Sequence, residues 1–138
     1  ATEEELPAAR SLPLPPPLPE PVLEPAFVPS MTQIYVSDYD NLDLTPYEAQ
    51  LEQTIAGVET FHRIEIRAYS DTVGTEAMNL ERTARFAEAI KAWFVARGID
   101  ADIILAEGVG ETRLQVETED DVDQPLNRVI EITVLSAG

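Results

Sequence analysis

Apolar and polar residues alternate with two different periods along residues 31–138, and the switches between those periods mark out the elements. Gln33-Ile34-Tyr35-Val36-Ser37 alternates and is rich in β-formers, which predicts a strand. The loop Asp38-Tyr39-Asp40-Asn41-Leu42-Asp43 follows. Thr45-Pro46-Tyr47-Glu48 predicts a helix start, with Thr45 as cap, Pro46 at the first helical position and Glu48 closing a capping box. Leu51, Ile55 and Val58 then recur at helical spacing, and Gly57 marks the end. From His62 to Tyr69 the period is two again, with Ile64, Ile66 and Ala68 on one face and Glu65, Arg67 and Tyr69 on the other. Thr75 to Arg97 reads as a long helix with a core stripe of Ala87, Ile90 and Phe94, stopped by Gly98. Ile103-Ile104-Leu105 predicts a short buried strand and Gly108-Val109-Gly110 a turn. Val129 to Leu135 is the last strand, with Ile130, Ile132 and Val134 facing one way. The order predicts an α/β fold: a mixed sheet of about four strands, helices packed on it, and at least one right-handed crossover.

Residues 1–30 follow a different rule. Nine of the eleven prolines fall between Pro7 and Pro29. Proline lacks the donor N–H and clashes with the preceding helical turn, so this spacing excludes a helix, and it excludes a central strand as well. The segment reads as an extended, proline-rich linker or tail, 1–30, ahead of a domain at 31–138. As a polyproline spacer, Pro7 to Pro29 reaches on the order of 70 Å. Leu12, Leu14, Leu18, Val22, Leu23, Phe27 and Val28 give it apolar side chains that could dock on the domain or on a partner.

Charge narrows the function. The chain of 138 residues carries 9 Lys+Arg against 26 Asp+Glu, a formal net charge of -17. So acidic a surface has no electrostatic footprint for nucleic acid and is repelled by anionic membrane. There is no apolar run long enough for a transmembrane helix, and the first residues lack the basic and apolar regions of a signal peptide. With no cysteine, thiolate catalysis, disulfides and cysteine metal sites are excluded.

The remaining candidates for chemistry are weak. Asp38, Asp40, Asn41 and Asp43 share a loop, but the glycine and the distant glutamate of a calcium loop are missing. Glu117, Glu119, Asp120, Asp121 and Asp123 crowd another, where like charges favour an exposed, extended, solvated segment, and no metal site is expected. His62, the one histidine, lies about 25 Å along an extended strand from Ser70, too far for a nucleophile–base pair. No catalytic residue and no cofactor is therefore assigned. Asp71 follows a strand and precedes a helix, at the sheet edge where α/β folds bind ligands, and its local chemistry reads either as a carboxylate poised for an amine or as a plain helix cap or turn residue.

Four segments in order carry a resemblance. They are Ile34-Tyr35-Val36-Ser37-Asp38-Tyr39-Asp40 with Leu44-Thr45-Pro46; Ile64 to Gly74 with Asn79; Arg97-Gly98-Ile99-Asp100 with Gly108-Val109-Gly110-Glu111; and Asn127-Arg128-Val129-Ile130-Glu131-Ile132. From Tyr35 to Val134 the chain resembles the OmpA-like C-terminal domain, the peptidoglycan-associated module of the bacterial cell envelope. The resemblance implies a non-enzymatic periplasmic module, associated with the outer membrane or a membrane complex, whose partner is peptidoglycan or an envelope protein complex. It implies a stem-peptide site at Asp71, Ser70, Asn79 and Arg128, in which a carboxylate meets the ammonium of diaminopimelate and a helix arginine meets its carboxylate.

One position departs. Counting back from Gly98, the helix arginine of the family falls on Phe86, and Arg85 lies about 100° away around the helix. Tyr69, Gln124 and Val129 also differ from the family pattern. Weakened peptidoglycan binding is therefore expected, to be raised by Phe86→Arg. The alternative is a protein-interaction or structural subunit that kept the fold and lost the ligand. Phe86 and Trp93 are its candidate partner surface, with at least one of them expected to be exposed; the other reading of Phe86 is that it folds inward against Ile90 and fills the old ligand pocket.

Overall fold

The computed structural model describes residues 27–137. The expectations for the proline-rich segment up to residue 26 lie outside these residues. Four strands, β1 (Phe27–Tyr35), β2 (Phe61–Tyr69), β3 (Ile104–Gly110) and β4 (Val129–Ala137), form one sheet in the order β1-β4-β2-β3. β4 runs antiparallel to both β1 and β2, whereas β2 and β3 are parallel. A parallel pair needs a crossover, and it is supplied by the long helix α2 (Glu76–Ala96). The short helix α1 (Glu48–Ile55) joins β1 to β2 on the same face of the sheet. This is the mixed α/β architecture expected from the periodicity.

The core lies between the sheet and the helices. Ile34 of β1, Ile64, Ile66 and Ala68 of β2, and Ile130, Ile132 and Val134 of β4 are all buried there. Leu51 of α1 and Phe86, Ala87, Ile90 and Phe94 of α2 meet them. The opposite face is mixed, with exposed Met31, Tyr35 and Leu105 beside charged side chains, and Arg67 there pairs with Glu65 at 2.8 Å and Glu107 at 3.2 Å. The Arg67 hydrogen bond holds the Glu65 carboxyl below its ordinary pKa.

Several boundaries differ from the sequence reading, each for a local reason. β1 begins at Phe27, inside the segment read as linker. Pro29 is compatible with this because β1 is an edge strand, where a missing N–H is tolerated. The capping box at Thr45 does not form. Residues Thr45–Tyr47 make a 3-10 turn, and the Asp43 carboxylate accepts from the Thr45 N–H at 3.0 Å and its hydroxyl at 2.6 Å. Those bonds lower the Asp43 pKa. α1 stops at Ile55, before Val58. α2 fits the expectation at both ends. Thr75 accepts from the Met78 N–H at 3.1 Å. Gly98 (φ +93°) ends the helix, with Gly98 N–H on the Val95 carbonyl and Ile99 N–H on that of Phe94.

Gly108-Val109-Gly110, read as a turn, belongs to β3. Here glycine serves close approach. A Cβ on Gly108 would lie 2.2 Å from the Ala84 nitrogen and 2.6 Å from its Cα. Next to this contact, the buried Thr83 hydroxyl accepts the Gly110 N–H at 3.1 Å and donates to the Asn79 carbonyl at 2.7 Å. α2 thus rests on β3 backbone to backbone, which fixes the start of the helix against the end of β2. Gly108→Ala forces the helix away from the strand and is expected to cost about 1–3 kcal/mol. The check is the urea midpoint of the substituted domain against wild type.

Candidate functional site

The carboxyl end of β2, the first turns of α2, the 38–43 loop and the approach to β4 enclose an open cavity of about 280 Å³. Asp71, Ser70, Asn79 and Arg128, the four residues singled out in the sequence, all line it. Ser37, Asp38, Tyr39, Asp40, Arg82 and Asp123 complete most of the wall.

Asp71 is buried and largely satisfied from within. Its Oδ1 accepts from the Val73 N–H at 3.2 Å, and its Oδ2 accepts from the Gln124 N–H at 3.3 Å and from Arg128 Nη1 at 2.6 Å. A carboxylate offers about four acceptor positions, so among the described residues one is left, on Oδ1. Arg128 also reaches the Asp123 carboxylate, and its Nε donates to the Val36 carbonyl at 2.9 Å. Burial opposes the Arg128 charge, but its hydrogen bonds to Asp123 and Asp71 prevail and raise its pKa. Asn79 is buried and donates to the Asp71 carbonyl and to Glu111. Ser70 donates to the Asp71 carbonyl.

The acidic segment 117–123 is exposed, as expected, but it is not an extended solvated loop. Thr72 donates to the Glu119 carbonyl and accepts from the Val122 N–H. Asp121, at φ +61°, accepts the Gly74 N–H. Asn127 braces the approach to this segment by exchanging two hydrogen bonds with the Val116 backbone. These bonds seat the segment against residues 71–74 and bring Asp123 to the cavity rim.

The proposed partner surface at Phe86 and Trp93 is corrected by the structure. Phe86 is 0% exposed and Trp93 8%. Phe86 packs edge-on against Tyr39 (ring centroids 5.3 Å apart) and Tyr47 (6.0 Å), which roof it over. Trp93 lies edge-on to Phe94, and the Arg97 guanidinium stacks 3.4 Å over its ring while its Nε binds Glu52 of α1. Both aromatics therefore serve the core. Nor would Phe86→Arg restore a cation to the cavity, because position 86 is sealed beneath two tyrosines. The Tyr39 hydroxyl donates into the sheet, to the carbonyls of Tyr69 and Val129, and burial pushes its pKa far above the ordinary phenol value.

Arg82 is the wall residue that the sequence reading passed over. It lies one helical turn before Phe86, and its Nε sits 3.1 Å from Asp40 Oδ1. Its Nη1 donates to Asn79 Oδ1 at 3.3 Å and points at the Val73 carbonyl. The signal was present: Asn79, Arg82 and Phe86 recur at i, i+3 and i+7 and share one helix face. Arg85, beside Phe86, is exposed and takes no part in the wall.

Comparison with known proteins agrees with this geometry. The family model described as the OmpA family matches residues 27–128. The chain belongs to the OmpA family, and its domain is of a non-enzymatic kind. It is 29% identical over 106 residues to outer membrane protein A of Bordetella avium, covering 72% of this chain and 53% of that protein. It is 31% identical over 72 residues to the peptidoglycan-binding protein ArfA of Mycobacterium bovis, covering 52% and 22%. The chain thus spans about half or less of the length of these relatives. The cell wall anchor of the type VI secretion system of Pseudomonas aeruginosa shares the fold, with a TM-score of 0.61, 18% identity and coverage of 78% and 82%. Among the described residues no helix is long and apolar enough to cross a membrane.

Phe86→Arg is expected to place an uncompensated charge in the core and to destabilise the domain. Phe86→Ala opens a cavity there, at about 3–5 kcal/mol. Chemical denaturation of both variants is the measurement. Stability within about 0.5 kcal/mol of wild type would contradict the packing described, since that is the range of a surface change.

Proposed function

We propose that this domain binds the stem peptide of peptidoglycan in the cavity beside Asp71, in the periplasm, and so ties the chain to the cell wall. One observation carries the reading. A concave site at the end of β2 combines a buried carboxylate that retains one open acceptor position with guanidinium groups of opposite charge. Such a wall suits a ligand that is itself a zwitterion, because an ammonium and a carboxylate can each find an opposite charge. Ser70, Asn79 and Arg128 hold Asp71 in place, and Asp71 takes the ammonium. Membership of the OmpA family and the likeness to a relative named as peptidoglycan-binding support the same choice. The protein-interaction reading drew on the departures at Phe86, Gln124 and Val129, on the net charge of -17 and on an exposed pair of aromatics, and the last of these is removed by the burial of Phe86 and Trp93.

Sedimentation with purified sacculi is expected to pull down the wild-type domain. Titration with a diaminopimelate-containing stem peptide should move the amide signals of Ser70, Asp71, Asn79 and Arg128. Asp71→Asn, which keeps the shape but removes the negative charge offered to the ammonium, is expected to lower affinity about tenfold or more. Because this variant also loses a buried ion pair, the comparison requires a circular dichroism spectrum matching that of wild type. Absence of binding, or signals that move only elsewhere, overturns the assignment.

A further inference from the structure

We infer that the Asp40–Arg82 ion pair is an internal stand-in for the ligand, and that Arg82 is the residue by which the cavity selects a free carboxylate over an amide. The inference rests on the stem-peptide reading above.

The cations of the wall differ in availability. Arg128 is held by Asp71, Asp123 and the Val36 carbonyl, so it acts as a strut. Arg82 is held differently. Asn79 and the Val73 carbonyl orient one nitrogen from below, and Nη2 makes no hydrogen bond among the described residues. Among the described residues its one carboxylate partner is Asp40, on the 38–43 loop. The Asp40 side chain is 59% exposed against 21% for Arg82. A pair with one partner so open to water is weak and readily exchanged. The guanidinium is also given room. A Cβ on Gly74 would stand 3.3 Å from Arg82 Nη1, and Gly74 holds a φ of +85° that other residues resist. Arg82 is thus a positioned guanidinium whose anion is replaceable.

The exchange is balanced in charge. A ligand carboxylate displaces the Asp40 carboxylate from Arg82. Asp40, already 59% exposed, returns to water at the mouth of the cavity, and Asp71 faces the incoming ammonium. No proton moves and no net charge is buried. A ligand whose carboxylate is amidated offers Arg82 nothing to replace Asp40, so the internal pair persists and competes with it.

The test uses the stem tripeptide of L-alanine, γ-D-glutamate and meso-diaminopimelate, with the free ε-end carboxylate or its amide, titrated calorimetrically against the full chain. Wild type is expected to prefer the acid by about tenfold, the increment of one charge-assisted pair. Arg82→Gln should lower affinity for the acid by about that factor and for the amide far less, so that the preference collapses. Arg82→Lys should keep part of it, as a point charge without the fork. Asp40→Asn removes the competitor and should raise affinity for the acid severalfold. A preference that survives Arg82→Gln, or equal losses for acid and amide, overturns the inference and leaves the stem-peptide reading standing. An Asp40→Asn variant that binds the acid no better removes the stand-in role. If wild type binds neither peptide, the stem-peptide reading fails first and this one with it.

Discussion

A guanidinium taken out of water must be met on every side, and Arg128 sets that demand where four segments of the chain converge. Its nitrogens reach the end of β1 through the Val36 carbonyl, the end of β2 through Asp71, and the acidic segment through Asp123. Arg128 itself stands one residue before β4. One side chain therefore fixes the mutual position of the two edges of the cavity and its floor. Breaking a buried pair by removing one partner costs about 3–5 kcal/mol, because the other charge is left without its counterion. The cavity wall is thus part of the framework of the fold, and its shape is set before any ligand arrives.

The same demand explains the acidic surface near the site. Five carboxylates crowded between residues 117 and 123 repel one another, yet the backbone there is pinned to Thr72 and Gly74 by hydrogen bonds. Asp123 answers the charge of Arg128 at the rim, with 74% of its side chain exposed. The cavity is lined by four carboxylates, Asp38, Asp40, Asp71 and Asp123, and two guanidiniums, Arg82 and Arg128. Local excess of negative charge draws in cationic groups and discourages simple anions.

The apolar periodicity made most of the fold legible, because buried faces of strands and helices must repeat at two and at 3.6 residues. It failed where contact was not periodic. Gly108 looked like turn punctuation, yet its role is to let another backbone come within reach, and that partner is distant in sequence. Phe86 looked surplus to a complete stripe, because Tyr39 and Tyr47, which cover it, come from a loop and a 3-10 turn with no helical register. Asp71, Ser70, Asn79 and Arg128 were readable through the resemblance. Arg82 was not, since it stands where the resemblance expects a different residue, and only its helix face relates it to Asn79.

The register of β1 decides how the sheet would answer a pull. Phe27 lies opposite Ala137 and Tyr35 opposite Val129, so β1 begins at the end of the sheet far from the cavity. A pull applied to the first residue of β1 along the strand axis, against a domain held at the cavity end, would load the strand lengthwise. It acts on the β1–β4 ladder in shear, and all nine residue pairs resist together. Attached at the opposite end, the same strand would peel open one pair at a time. The order in which chain and sheet meet therefore makes an edge strand, the weakest place in most sheets, suited to bearing tension.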